Sequence, residues 1–146
     1  MSIQAYADDF FTLVEAGFIA IHQYDEDAAK KLFRAASLLD STSTLPLLGQ
    51  GYMHLCKLEL KLALPLFEEI LAKDPANGMA KTLLGLALSF NPAATSQGEK
   101  TLEEALQSAS DPMVKELATS TLEFVRKFIK KAPSPTQGAA QSAKRG

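Results

Sequence analysis

The sequence predicts an all-α protein built from stacked helical hairpins, and three observations carry that prediction. Gly17, Gly51 and Gly85 are spaced at intervals of 34 residues. The same offset relates Ala29 to Ala63, Phe33 to Phe67 and Ser41 to Pro75, so several independent positions share one register. No stretch alternates as a strand does, whereas apolar residues recur at three- and four-residue steps. A period of this length belongs to a two-helix unit that buries its apolar face only against its neighbours.

Each recurring residue has a mechanical reason. Helices of one hairpin approach closely where a side chain is missing or small, at Gly17 and Gly51 in the first helix and Ala29 and Ala63 in the second. Phe33 and Phe67 then fill the space between a unit and its neighbour. Pro75 stops a helix by its ring and missing N–H, a task left to Asp40 and Ser41 in the first unit. Leu13, Gly17, Ala29, Phe33, Ala36 and Ser41, repeated as Leu47, Gly51, Ala63, Phe67, Ile70 and Pro75, spell the tetratricopeptide pattern. A degenerate third unit keeps Gly85, with its partner helix one residue late at Gly98, Leu102 and Ala105 after the loop at Asn91-Pro92. The repeats are expected over about 10–43, 44–77 and 78–111.

The elements follow in order. A first helix runs from near Ile3 to Gln23, and Asp25 caps a second through about Leu39. Ser43 or Thr44 starts the third, with Pro46 tolerated in its first turn. The fourth begins near Leu60 or Lys61, so that Pro65 falls where its missing N–H lacks an acceptor. A fifth spans about Asn77 to Phe90, and Ser96 with Glu99 reads as a capping box for the sixth. After Asp111-Pro112, the residues Val114, Leu117, Ala118, Leu122, Val125, Phe128 and Ile129 form the apolar face of a capping helix over 112–131. Residues 1–131 thus make one tetratricopeptide-repeat domain. From Ala132 on, small and polar residues dominate, which predicts a disordered tail over 132–146.

Composition narrows the function classes. One domain of 146 residues buries roughly 70 % of the surface its unfolded chain exposes. A lone Cys56 excludes an internal disulfide framework, no signal peptide is legible, and a reducing cytoplasm is the expected compartment. Charged residues interrupt every apolar run, so no membrane span is expected. Six of the 15 basic residues follow Val125 and all 17 acidic ones precede it, which leaves the first 125 residues at −8. Such a body repels nucleic acid. The basic cluster at 126–131 reads as helix-end cations favoured by exposed carbonyls.

Catalytic and metal-binding readings find no support. His22 and His54 fall at different repeat positions without partners at ligand spacing, and Cys56 is two residues from His54 on one helix, which points the side chains apart. The pairs Asp8-Asp9, Glu68-Glu69 and Glu103-Glu104 diverge by about 100° around their helices. The sequence therefore predicts neither an enzyme nor a cofactor.

The functional signal is a second apolar face. On the first helix, Phe11, Val14, Phe18 and Ile21 cluster away from the packing positions, and Leu45, Leu48, Tyr52 and Leu55 occupy the equivalent places in the second repeat. In the third repeat these become Met79, Thr82, Leu86 and Ser89. Such positions line the concave surface of a hairpin array, and an aliphatic and aromatic lining suits an apolar guest, either an amphipathic helix or an extended hydrophobic segment. If the array closes or its last helix folds inward, the same stripe is ordinary core. An open stripe also favours self-association in the absence of cargo.

With these repeats, a capping helix and a small acidic body, residues 3 to 131 resemble the tetratricopeptide chaperones of bacterial type III secretion. The early first repeat looks most like the class that holds the needle subunit with a small helical co-chaperone; the runner-up is the class that holds hydrophobic translocators, and a generic tetratricopeptide adaptor is third. The resemblance implies a cytoplasmic chaperone that sequesters an amphipathic helix of the needle subunit and so prevents its polymerisation. The expected cargo contacts are Phe11, Val14, Phe18, Ile21, Leu45, Leu48, Tyr52, Leu55, Met79 and Leu86. The resemblance also implies a co-chaperone edge at Ile3, Tyr6 and Phe10.

Overall fold

The structure, a computed structural model, describes residues 3–130, with side chains from Tyr6 onward. The described residues form α1 (Ile3–His22), α2 (Glu26–Leu39), α3 (Leu45–Cys56), α4 (Leu60–Lys73), α5 (Gly78–Ser89), α6 (Thr95–Ser108) and α7 (Pro112–Phe124), followed by a π-helical stretch Val125–Lys130. Among them there is no strand. α1–α2, α3–α4 and α5–α6 are hairpins. Each meets the next through α2–α3 and α4–α5, α7 lies on α5 and α6, and α1, α3, α5 and α7 touch one after another. This is the all-α hairpin stack expected from the 34-residue period.

The recurring residues pack where the period puts them. The ring of Phe33 lies against Gly17 of its own hairpin and Gly49 of the next; a Cβ at Gly17 would come 2.6 Å from that ring, and one at Gly49 would be closer still. Phe67 stands the same way on Gly51, at 2.6 Å. Both phenylalanines, with Ala29, Ala36, Ala63 and Ile70, are fully buried. Burying each ring stabilises the stack by about 2–3 kcal/mol. The role of Gly49 was not foreseen, because the third repeat has Leu83 at that place.

The third hairpin is the closest pair. A Cβ on Gly98 would lie 2.6 Å from the Gly85 carbonyl oxygen and 2.7 Å from the Ser89 nitrogen, while Leu102 covers Gly85. Leu102 and Ala105 are fully buried, in the delayed register read from the sequence. Ser89 donates its hydroxyl to the Gly85 carbonyl at 2.7 Å, which satisfies a buried polar group without breaking the helix.

Side chains define several helix starts. Asp25 accepts from the Ala28 N–H at 3.1 Å, Asn77 from Ala80 at 3.0 Å and Asp111 from Met113 at 2.8 Å. The Ser43 hydroxyl accepts from Leu45 N–H just ahead of α3.

Four expectations are corrected. Pro65 lies inside α4 rather than in its first turn, so the Lys61 carbonyl has no amide four residues on; Lys61 is exposed, which lets water take that carbonyl. The Ser96–Glu99 capping box does not form, because α6 already begins at Thr95 after Ala94, and Glu99 is drawn to the cations of the last helix instead. The capping helix is α-helical only to Phe124, and its wider π turn carries Phe128 out of the apolar face, leaving the ring 58 % exposed. The basic cluster does more than face helix-end carbonyls: Arg126 pairs with Glu99 at 3.3 Å and with Glu103 at 2.5 Å, and Lys130 pairs with Glu99 at 2.8 Å. The tail predicted for 132–146 lies outside the described residues.

Candidate functional site

The expected cargo contacts divide by burial. Val14, Ile21, Leu48 and Leu55 are buried, and as surface contacts they are corrected to core. Val14 packs with Phe10 and Ala36, Ile21 with Phe33 and Met53, and Leu48 and Leu55 with Phe67 and Leu83. The reason is geometric: α1 touches α2 and α3, and α3 touches α4 and α5, so side chains that point between these helices are consumed by packing. Thr82 and Ser89 of the third repeat are fully buried as well, Ser89 where α6 closes on α5 at Gly98.

The remaining six candidates keep accessible surface. Phe11 is 58 % exposed, and Phe18, Leu45, Tyr52, Met79 and Leu86 are half-buried. Phe18 and Tyr52 form a ladder between α1 and α3, with ring centroids 5.9 Å apart, and His22 lies 5.9 Å from Tyr52. Phe18 also meets Phe33 edge-on at 5.4 Å. Burial, with a contribution from Cys56, pushes the Tyr52 phenol up to about 12. Its apolar surroundings suit a hydrophobic guest better than a charged one.

At the expected co-chaperone edge, Phe10 is buried and is corrected to core with Val14 and Ala36. Tyr6 is exposed, and the Ile3 side chain lies outside the described residues. Tyr6, Phe11 and Leu39 border a hollow of about 280 Å³ between α1 and the end of α2. A second hollow of about 450 Å³ opens where α1 and α3 end, between Ile21, Met53, Cys56 and Tyr24. The Glu26–Lys57 ion pair, 2.7 Å long, crosses from the start of α2 to the end of α3 beside it.

Sequence reading did not find this second hollow. It depends on how two hairpins meet, since Tyr24 and Glu26 of the first line it together with Met53, Cys56 and Lys57 of the second.

Among the described residues, no group of three or more His, Cys, Asp or Glu side chains is placed to hold a metal ion. No helix of the described residues is long and apolar enough to cross a membrane. What the site offers is apolar and aromatic surface on a rigid helical frame.

No protein-family description and no curated protein matches the chain. Among solved structures it is similar to the crystal structure of the Yersinia enterocolitica type III secretion translocator chaperone SycD in an alternative dimer. The TM-score is 0.67 at 22 % sequence identity, over 86 % of this chain and 96 % of that one. The likeness shows the fold: a tetratricopeptide-type helical stack.

Proposed function

We propose that this protein is a non-enzymatic chaperone of type III secretion that shields an apolar segment of an export cargo. The observation that carries the reading is the likeness to SycD along nearly the whole length of both chains. The accessible apolar row of Phe11, Phe18, Leu45, Tyr52, Met79 and Leu86 supports it, since such a surface suits a hydrophobic segment.

The translocator class is the better supported cargo, because SycD is itself described as a translocator chaperone. The needle-subunit reading, with its small co-chaperone at the Tyr6 edge, draws only on the hollow beside Tyr6 and Phe11. Self-association without cargo is consistent with the exposed Phe11, and the SycD structure is described as a dimer.

Co-expression tests the proposal. A stable soluble complex with a long hydrophobic translocator, held through a short segment, is the expected result. A complex only with a small polymerising helical protein and a co-chaperone would move the assignment to the needle class. Capture of neither cargo would overturn the chaperone reading.

A further inference from the structure

We propose that the hollow between α2 and α3 binds a carboxylate presented by an acidic side chain of a partner polypeptide. The hollow has a volume of about 310 Å³ and is lined by Lys30, Arg34 and Ser37 of α2 and by Gln50, Met53 and His54 of α3. The repeat shows that the stack does not require this lining. At an offset of 34 residues, the same places on α4 and α5 hold Leu64, Glu68, Leu71, Leu84, Ala87 and Leu88, and Leu64, Leu71, Leu84 and Ala87 pack into the core of the second junction. Where packing alone decides, the seam is filled with leucine. Between the first two hairpins it is open and polar, which forgoes apolar burial that the fold could use.

Charge identifies the occupant. No acidic residue lines the hollow, although the first 125 residues carry a net charge of −8. Lys30 pairs with Glu26 at 2.8 Å, Glu26 with Lys57 at 2.7 Å, Lys57 with Glu59 at 2.8 Å and Glu59 with His54 at 3.3 Å. Arg34 is exposed and has no ion pair among the described residues. With His54 counted as neutral, Lys30, Arg34 and Lys57 stand against Glu26 and Glu59, which leaves one positive charge. That excess complements a single carboxylate, whereas a phosphoryl group brings more negative charge than the cluster offsets. The planar Arg34 guanidinium matches a planar carboxylate through two parallel hydrogen bonds, and Lys30 and Gln50 supply further donors. The Ser37 hydroxyl is already spent on the Phe33 carbonyl at 3.0 Å. On α3, Gln50 and His54 stand about 160° around the helix from Tyr52, so the site is separate from the proposed cargo row and its test does not depend on cargo.

Titration of the full chain with N-acetylglutamate amide, followed by backbone and side-chain NMR shifts, tests the site. N-acetylglutamine amide and inorganic phosphate form the other arms, at matched ionic strength. Saturable shifts at Arg34, Gln50 and His54 are expected with the glutamate probe and none with the glutamine probe. Arg34→Gln should weaken binding at least about fivefold while thermal melting stays near wild type, and Arg34→Lys should keep part of the affinity. No saturable shift, equal shifts with the glutamine probe, or unchanged affinity in an Arg34→Gln variant that melts normally would overturn the site. Tighter saturation by phosphate would identify a phosphoryl group as the occupant and overturn the carboxylate assignment.

Discussion

Tyr24 and Leu58, equivalent residues of successive hairpins, both hold a left-handed backbone, at φ 60° and 57°. Each follows the first helix of its hairpin. The next N–H closes the turn by reaching back five residues, from Asp25 to Ala20 and from Glu59 to His54, both at 2.9 Å. This helix-ending geometry usually places glycine where Tyr24 and Leu58 stand. The third repeat has Pro92 there, which cannot take a positive φ, and its loop runs over five residues, 90–94, against three in each of the first two hairpins. That is why its partner helix is displaced.

Glycine at these turns should stabilise the fold. Tyr24 is 95 % exposed and Leu58 61 %, so Tyr24→Gly loses almost no packing while relieving a left-handed side chain. A gain of about 1 kcal/mol is expected, or about 2–4 °C in Tm, with a smaller gain for Leu58→Gly. Thermal and urea unfolding measure it. A loss of stability in Tyr24→Gly would show that the tyrosine makes a stabilising contact.

Gly98→Ala should act in the opposite direction. Alanine gains about 1 kcal/mol of helix propensity, but its methyl would meet the backbone of Gly85 and Ser89, which yields only if α5 and α6 separate. Overpacking of this kind costs about 1–3 kcal/mol, so the net change is destabilising. A rise in the urea midpoint would contradict the close approach.

Cargo binding should depend on the accessible row rather than on the buried seam. Phe11→Glu combined with Met79→Glu should weaken cargo capture by about tenfold or more, with the helical circular dichroism signal retained. Leu55→Glu should instead unfold the second hairpin, because Leu55 is buried against Leu83 and Phe67. Normal capture by the first double variant would remove the row from the cargo site.

The Glu26 clamp between hairpins should respond to acid. Lys30 and then Lys57, at 2.8 and 2.7 Å, hold the Glu26 carboxyl down to about 2. A depressed carboxylate stabilises the fold above its unfolded value of 4.5 and loses that contribution as pH falls towards 2. The Tm difference between wild type and Glu26→Gln, small because the pair is exposed, should therefore be present at neutral pH and vanish across that interval. A constant difference would mean that the ion pair is not its source.

Alkaline titration should separate the tyrosines. Tyr52 should ionise near 12, and ultraviolet absorbance following the phenolates will show one of the three tyrosines lagging. Between 10 and 12 the unfolded chain has released that proton and the folded one has not, so stability falls as pH rises. Tyr52→Phe should abolish the slow component.

By itself, the sequence determined the stack. Gly17, Gly51 and Gly85 with Phe33 and Phe67 reveal both the period and the pairing, because close helix contact demands absent side chains in one place and a large ring in another. It also marked the delayed third repeat, since Pro92 forbids the turn used by the first two. Which apolar residues stay accessible was decided only in three dimensions. Val14 and Phe11 are both apolar and sit three residues apart on one helix, yet one is sealed by α2 and the other faces outward. Phe128 shows the same limit, because periodicity assumes a regular helix and the π turn rotates it out of phase. Local pattern specifies which helices form, whereas the exposure of a given side chain depends on which neighbour reaches it.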